Sequence, residues 1–165
     1  GRGEGALRFC MIHRHYRERV RVLGIDLGAK RIGVAVSDSS GTVASPLTVI
    51  TRGRSRRADH DAIARLVKQE EAEAVVVGLP LNMDGSRGPA ARAAATEAEA
   101  LVTVVGVPVH LHDERLTTVT AERALREAGV RGPDRRSVVD KVAAAVLLQG
   151  WLDSRTAPSP CDPEQ

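Results

Sequence analysis

Val22-Leu23-Gly24-Ile25-Asp26-Leu27-Gly28 is an apolar run with a single carboxylate set into it. Alternation with period two puts Val22, Gly24 and Asp26 on one face and Leu23, Ile25 and Leu27 on the other. Apolar residues on both faces point to a central strand covered on both sides, where an unpaired charge would cost several kcal/mol. Asp26 therefore sits where the strand meets solvent, or it is neutralised by a cation, or it caps the turn that Gly28 and Gly33 mark. Two further acids weigh on the choice. The stretch Val109-His110-Leu111-His112-Asp113-Glu114 is a strand ending in acid, and Asp140 stands near the start of an apolar helix.

Outward from that strand, residues 20–28 read as the first strand and Ile32 to Ser37 as the second, joined by Ala29-Lys30-Arg31. Val43 to Ile50 reads as a third, with Pro46 favouring an edge position or a bulge. Short links between the three suggest an antiparallel meander. The basic stretch Thr51-Arg52-Gly53-Arg54-Ser55-Arg56-Arg57 is either a solvated linker or a phosphate-contacting rim, and charge runs of this kind more often are only solvated. Ala62, Ile63, Leu66 and Val67 give segment 58–72 an apolar helical face. Ala74 to Leu79, ended by Pro80, has the form of a buried parallel strand. A loop from Leu81 to Pro89 leads to a second helix over 90–105, rich in helix formers. Val107 to His112 is the next strand, Thr118 to Ala128 a helix ending at Gly129, and Arg131 to Arg136 a polar loop. The final helix carries Val139, Val142, Ala143, Val146, Leu147 and Trp151. Strands alternating with helices in the second half imply right-handed crossovers. The expected fold is α/β, a mixed five-stranded sheet of three antiparallel strands followed by parallel ones, with helices on both faces.

The chain has 165 residues, which suits one domain with its own core. Residues 1–19 read as a basic flexible arm, 20–153 as the domain, and 154–165 as a disordered tail of Ala-Pro-Ser-Pro composition. Only 2% of the chain is aromatic, which argues against recognition of bases by stacking. The net charge is +3, with 21 Arg against 3 Lys. Arginine suits bidentate phosphate contact, although a biased coding composition gives the same ratio. Cys10 and Cys161 lie in the two flanks with no disulfide or zinc spacing, consistent with a cytoplasmic setting. No apolar run approaches membrane-spanning length.

Strand parity sets Asp113 with Val109 and Leu111, and Glu114 with His110 and His112. Only one of the two acids can face Asp26, and parity alone does not choose. Three carboxylates brought together without cations would repel and raise one another's pKa values. Such hard oxygen ligands suit Mg²⁺ or Mn²⁺, commonly used beside phosphates for in-line displacement.

Four separate motifs carry a family resemblance over about residues 20–153. They are Gly24-Ile25-Asp26-Leu27-Gly28 with Arg31-Ile32-Gly33-Val34-Ala35, Val77-Gly78-Leu79-Pro80 with Asp84-Gly85, Asp113-Glu114-Arg115-Leu116-Thr117-Thr118, and Val139-Asp140 before Ala143-Ala144. Together they resemble the YqgF/RuvX family of ribonuclease-H-like Holliday-junction resolvases and pre-16S rRNA nucleases. The resemblance implies a ribonuclease-H-like fold and an acidic trio, Asp26, Glu114 and Asp140, that binds Mg²⁺ or Mn²⁺ and catalyses phosphodiester hydrolysis. It thereby selects Glu114 over Asp113.

Around that trio, Lys30, Arg31, Asn82, Arg87, Arg115, Thr117 and Thr118 are the candidate nucleic-acid contacts, with helix capping an equal reading for the two threonines. His110 and His112 alternate on one strand face, as packed histidines commonly do. The implied partner is nucleic acid, four-way junction DNA or pre-rRNA, with a homodimer for symmetric junction cutting. Two other readings stand beside it. An actin-like ATPase also uses Asp-Leu-Gly on a first strand, but needs two such domains. A non-catalytic RNA-binding ribosome-assembly factor would have no reason to retain three mutually repelling acids.

Overall fold

The computed structural model describes residues 20–115 and 135–156, together with Arg123 and Gly129. The expected arm at 1–19, the helix at 118–128, Thr117, Thr118, Cys10 and Cys161 lie outside the described residues. So do residues 157–165 of the expected tail at 154–165, whereas residues 154–156 are not tail but the end of the last helix.

Three strands open the fold: β1 (Val22–Leu27), β2 (Arg31–Ser37) and β3 (Ala44–Thr51). Helix α1 (Arg56–Gln69), strand β4 (Ala74–Leu79), helix α2 (Pro89–Val105), strand β5 (Val109–Asp113) and helix α3 (Arg135–Thr156) follow. The sheet order is β3-β2-β1-β4-β5, with β1–β2 and β2–β3 antiparallel and β1–β4 and β4–β5 parallel. Pro46 lies on the edge strand, where proline is tolerated, and the β2–β3 register shifts between Val34 and Ala35, opposite it.

Period two along β1 separates the two cores. Leu23 and Ile25 join Ile32, Val34, Val75 and Val77 under α1 and α2, which contribute Ile63, Val67, Ala98 and Leu101. On the opposite face Val22, Ala35, Ala74 and Val76 pack under Ala144, Ala145, Leu148, Trp151 and Leu152 of α3. The sheet is therefore buried on both sides, as the unbroken apolar run of β4 requires.

The helix ends account for the differences from the sequence reading. Helix α1 begins at Arg56 because the Ser55 hydroxyl accepts from the Ala58 N–H at 3.1 Å, capping the first turn. Helix α3 includes Arg135 and Arg136, which read as the end of a polar loop, and Asp140 lies in its second turn, near the start as expected. Arg135 and Arg136 carry no apolar side chain and so leave no periodic signature. The apolar residues of α3 also divide otherwise than their order suggests. Ala144, Leu148 and Trp151 face the sheet, while Val139, Val142 and Val146 are half-buried. Gly28 does shape the turn, its N–H donating to the Arg31 carbonyl at 3.0 Å. Gly33, by contrast, pairs with Asp26 inside the β1–β2 ladder and serves another purpose.

Candidate active site at the carboxyl ends of the parallel strands

Strands β1, β4 and β5 run in one direction, so their carboxyl ends share one edge of the sheet, where open α/β folds place their ligands. Asp26 is the fifth residue of β1, on the face covered by α3. Glu114 follows β5 directly, its N–H donating to the Leu79 carbonyl at 3.1 Å. His110 stacks at 5.3 Å on Trp151, and His112 lies against Gly150, both on α3. The alternation therefore turns Glu114 toward the α3 side and Asp113 away from it. Asp113 instead pairs with Arg115 at 2.7 Å.

Strands β1 and β5 are not neighbours, since β4 runs between them. Two strand spacings, about 9–10 Å, separate their backbones. The Asp26 and Glu114 side chains nevertheless share a hydrogen bond, with Glu114 as donor. Gly78 of β4 makes this possible. A Cβ there would collide with the Glu114 carboxylate and stand 3.0 Å from Leu147 Cδ2. The missing side chain is the space that the acid occupies.

Glycine also brings α3 down. At Gly33 a Cβ would run into the backbone of Asp140, and at Gly24 it would stand 2.7 Å from Leu148 Cβ. The close approach carries Asp140 to the site, where its negative charge is felt at Asp26. Its Oδ2 accepts from Arg31 Nε at 2.6 Å. Among the described residues, no group of three or more His, Cys, Asp or Glu side chains is spaced to hold a metal ion as the side chains stand. Asp26 and Glu114 are in contact, and Asp140 is held beside them by arginine.

Electrostatics follows from this crowding. Burial and the neighbouring Asp26 push the Glu114 carboxyl up to about 8. Burial raises Asp26 as well, and Asp140 adds to the effect. The pair thus keeps a proton at neutral pH where two free carboxylates would each have lost theirs. A proton shared by two acids marks a place where a cation would be favourable. The donor set, carboxylate oxygen throughout, fits Mg²⁺ or Mn²⁺.

The other candidate contacts are spread around this edge. Lys30 is exposed on the turn after β1, and Arg31 is engaged with Asp140. Asn82 is used within its own loop, donating to the Ser86 hydroxyl at 2.9 Å, and Arg87 is exposed. Arg115, besides pairing with Asp113, donates to the Met83 carbonyl at 3.2 Å and so ties that loop to the end of β5. Reading the sequence missed the parts played by Gly24, Gly33 and Gly78. The available signal was glycine inside a strand pattern, which marks a close approach of another group.

Comparison with known proteins bears on the family and the fold. The family described as "RuvX: Holliday junction resolvase" matches residues 20–154. A protein of Myxococcus xanthus named "Putative pre-16S rRNA nuclease" is 50% identical over 84% of this chain and 91% of its own. One of the same name from Anaeromyxobacter is 52% identical over 84% of this chain and all of its own. Among solved structures, Thermus thermophilus RuvC in complex with a Holliday junction substrate superposes with a TM-score of 0.52. That match covers 84% of this chain and 96% of RuvC at 19% identity, and it establishes the shared ribonuclease-H-like fold.

Proposed function

The chain belongs to the RuvX family of nucleases, and from that premise we propose that it is a divalent-metal-dependent endonuclease of structured nucleic acid, with Asp26, Glu114 and Asp140 as its acidic set. The single observation that carries this reading is the Asp26–Glu114 contact across β4, with Asp140 brought alongside by α3. Two carboxyl groups pressed together at an open sheet edge serve no packing purpose, and their repulsion is relieved by a cation.

Asp26, Glu114 and Asp140 would hold Mg²⁺ or Mn²⁺, which when bound supplies charge to the phosphoryl oxygens and makes the attacking water more acidic. The chain's own residues do the rest. Glu114 gives up the proton it shares with Asp26 as the site is loaded. Arg31 orients the Asp140 carboxylate from the side and keeps a positive charge near the scissile phosphate. Lys30, exposed on the adjoining turn, is placed to meet a neighbouring phosphate. Arg115 steadies the loop holding Asn82 and Arg87 at the far side of the opening.

The relatives' names favour precursor 16S rRNA as substrate, and the family description favours a four-way DNA junction. Among the described residues no helix is long and apolar enough to cross a membrane. A cytoplasmic location suits either substrate. Cutting a junction symmetrically would call for a homodimer, which sedimentation with and without junction DNA would reveal.

The test is a nicking assay on junction DNA and on 5′-extended 16S precursor, with Mg²⁺ and Mn²⁺ supplied separately. Asp26→Asn is expected to abolish cutting while leaving folding and substrate binding intact. Equal cutting by Asp26→Asn and the unaltered protein would refute the assignment. Binding that survives chelation, with no cutting of either substrate, would favour a non-catalytic RNA-binding assembly factor.

A further inference from the structure

Away from the acids, charged groups are buried together where α1, α2 and the end of β3 meet. Asp59 and His60 of α1 and Glu97 of α2 are only 4%, 2% and 5% exposed. All three gather round Arg52. Its Nη1 and Nη2 donate to the two Glu97 oxygens at 2.7 and 3.0 Å, and Nη1 lies 3.5 Å from Asp59 Oδ2. His60 Nε2 is 3.0 Å from Glu97 Oε1, and Asp59 Oδ1 accepts from the Gly53 N–H at 2.7 Å. If pinning two helices were the only task, apolar residues of similar volume would do it at least as well. The network does something that they could not.

The remaining nitrogen of the same guanidinium supplies the reason. Arg52 Nε donates to the Gly28 carbonyl at 2.8 Å, and the Arg52 backbone N–H donates to the Lys30 carbonyl at 3.0 Å. Both carbonyls belong to the turn joining β1 to β2. That turn starts two residues after Asp26 and ends at Arg31, which holds Asp140. Glu97, using both oxygens, fixes the plane of the guanidinium. The fixed plane aims Nε at the turn, and the turn in turn sets the spacing between Asp26 and the Arg31–Asp140 pair.

We propose that Arg52 is a positioning residue, held by Glu97, Asp59 and His60 so that it clamps the Gly28–Lys30 turn and fixes the two sides of the acidic site relative to each other. The consequence for cutting rests on the nuclease reading above, whereas the clamp on the turn does not. Lysine at this position would keep the charge for Glu97 but has no planar fork with a second edge for Gly28.

The experiment compares the full chain with Arg52→Lys and with Val67→Ala, a truncation in the same core that does not touch the turn. Amide hydrogen exchange over residues 28–31 and steady-state cutting are both read at a temperature where every variant is folded. Arg52→Lys is expected to speed exchange in the turn by about tenfold over Val67→Ala. It is also expected to lower kcat by about tenfold or more while KM stays within about twofold, the signature of misplaced groups and not of lost binding. Should Arg52→Lys not fold, the pair Arg52→Gln with Glu97→Gln keeps neutral hydrogen bonds between the helices and is expected to loosen the turn in the same way. Exchange in the turn no faster than in Val67→Ala would overturn the proposal. So would an unchanged kcat in a protein that cuts. If the unaltered chain cuts neither substrate, the nuclease reading fails by itself and the exchange rates still decide the clamp.

Discussion

Replacing Gly33 by alanine should damage the site without touching any ionisable group. A Cβ at this position would overlap the Asp140 carbonyl oxygen and stand 2.6 Å from its carbonyl carbon, where ordinary contact begins at 3.4 Å. The obstacle is helix backbone, so no side chain can rotate away, and α3 must lift from β2 by roughly 1 Å. That lift unseats Ala144, Leu148 and Trp151 from Val22, Ala35 and Val76. Overpacking of this kind costs about 1–3 kcal/mol. In a domain of this size the corresponding fall in Tm is roughly 3–10 °C. Asp140 rides on the same helix turn, and a displacement of about 1 Å in a reacting group can cost on the order of 100-fold in rate. Thermal melts and single-turnover cutting, the latter well below the Tm, measure the two effects separately. Gly24→Ala is the comparison, since its Cβ meets Leu148 and the Ala144 carbonyl, one to two turns farther along α3 than Asp140. It should lower the Tm similarly and the rate much less. A Gly33→Ala protein that melts and cuts as the parent does would refute the helix-seat argument. One that melts early yet cuts at full rate would remove Asp140 from the acidic set.

Four further outcomes follow from the same geometry. Gly78→Ala pushes on the Glu114 carboxylate, a movable side chain, so the Tm should change by less than about 3 °C while cutting falls about 100-fold. The folded protein holds a proton on Glu114 up to about pH 8 that the unfolded chain releases near 4.5. Without metal its stability should therefore decline as pH rises between those values, by at most about 1.4 kcal/mol per pH unit, and level off above them; denaturant titrations at pH 5 and pH 8.5 would show it. Because a cation must displace that proton, Mn²⁺ should raise the Tm more at pH 8 than at pH 6, and chelation should erase the difference. Arg31→Ala removes a half-exposed ion pair and should cost about 1 kcal/mol or less, yet slow cutting about tenfold by releasing Asp140.

The strands were legible in the sequence because each has a local signature. Ala74 to Leu79 is an uninterrupted apolar run bounded by proline, and the alternation in residues 22–27 matches the division of β1 between two cores. Pro46 announced an edge or a bulge, and it occupies an edge strand beside a register shift. What failed was local reading of features whose cause lies elsewhere in the chain. The first two residues of α3, Arg135 and Arg136, are charged and show no period. Gly33 looked like half of a reversal because glycine commonly is, whereas here the cause is the Asp140 backbone, over a hundred residues away. Asp113 and Glu114 could not be told apart by parity, since both alternations were allowed until the packing of His110 and His112 on α3 fixed the face.

The same reasoning explains why the acids alone would not have sufficed to place a site. Asp26 and Glu114 lie on strands separated by β4, and in a sheet with ordinary side chains on β4 their carboxyl groups would face each other across an occupied row. Removing one Cβ, at Gly78, turns that row into a gap the width of a carboxylate. Removing two more, at Gly24 and Gly33, lets a helix settle close enough to add a third acid. The charges repel and the glycines weaken the sheet, so each feature alone is destabilising. Together they bring Asp26, Glu114 and Asp140 to the end of one sheet edge, where, on the nuclease reading proposed above, a divalent cation would offset the repulsion that the glycines make possible.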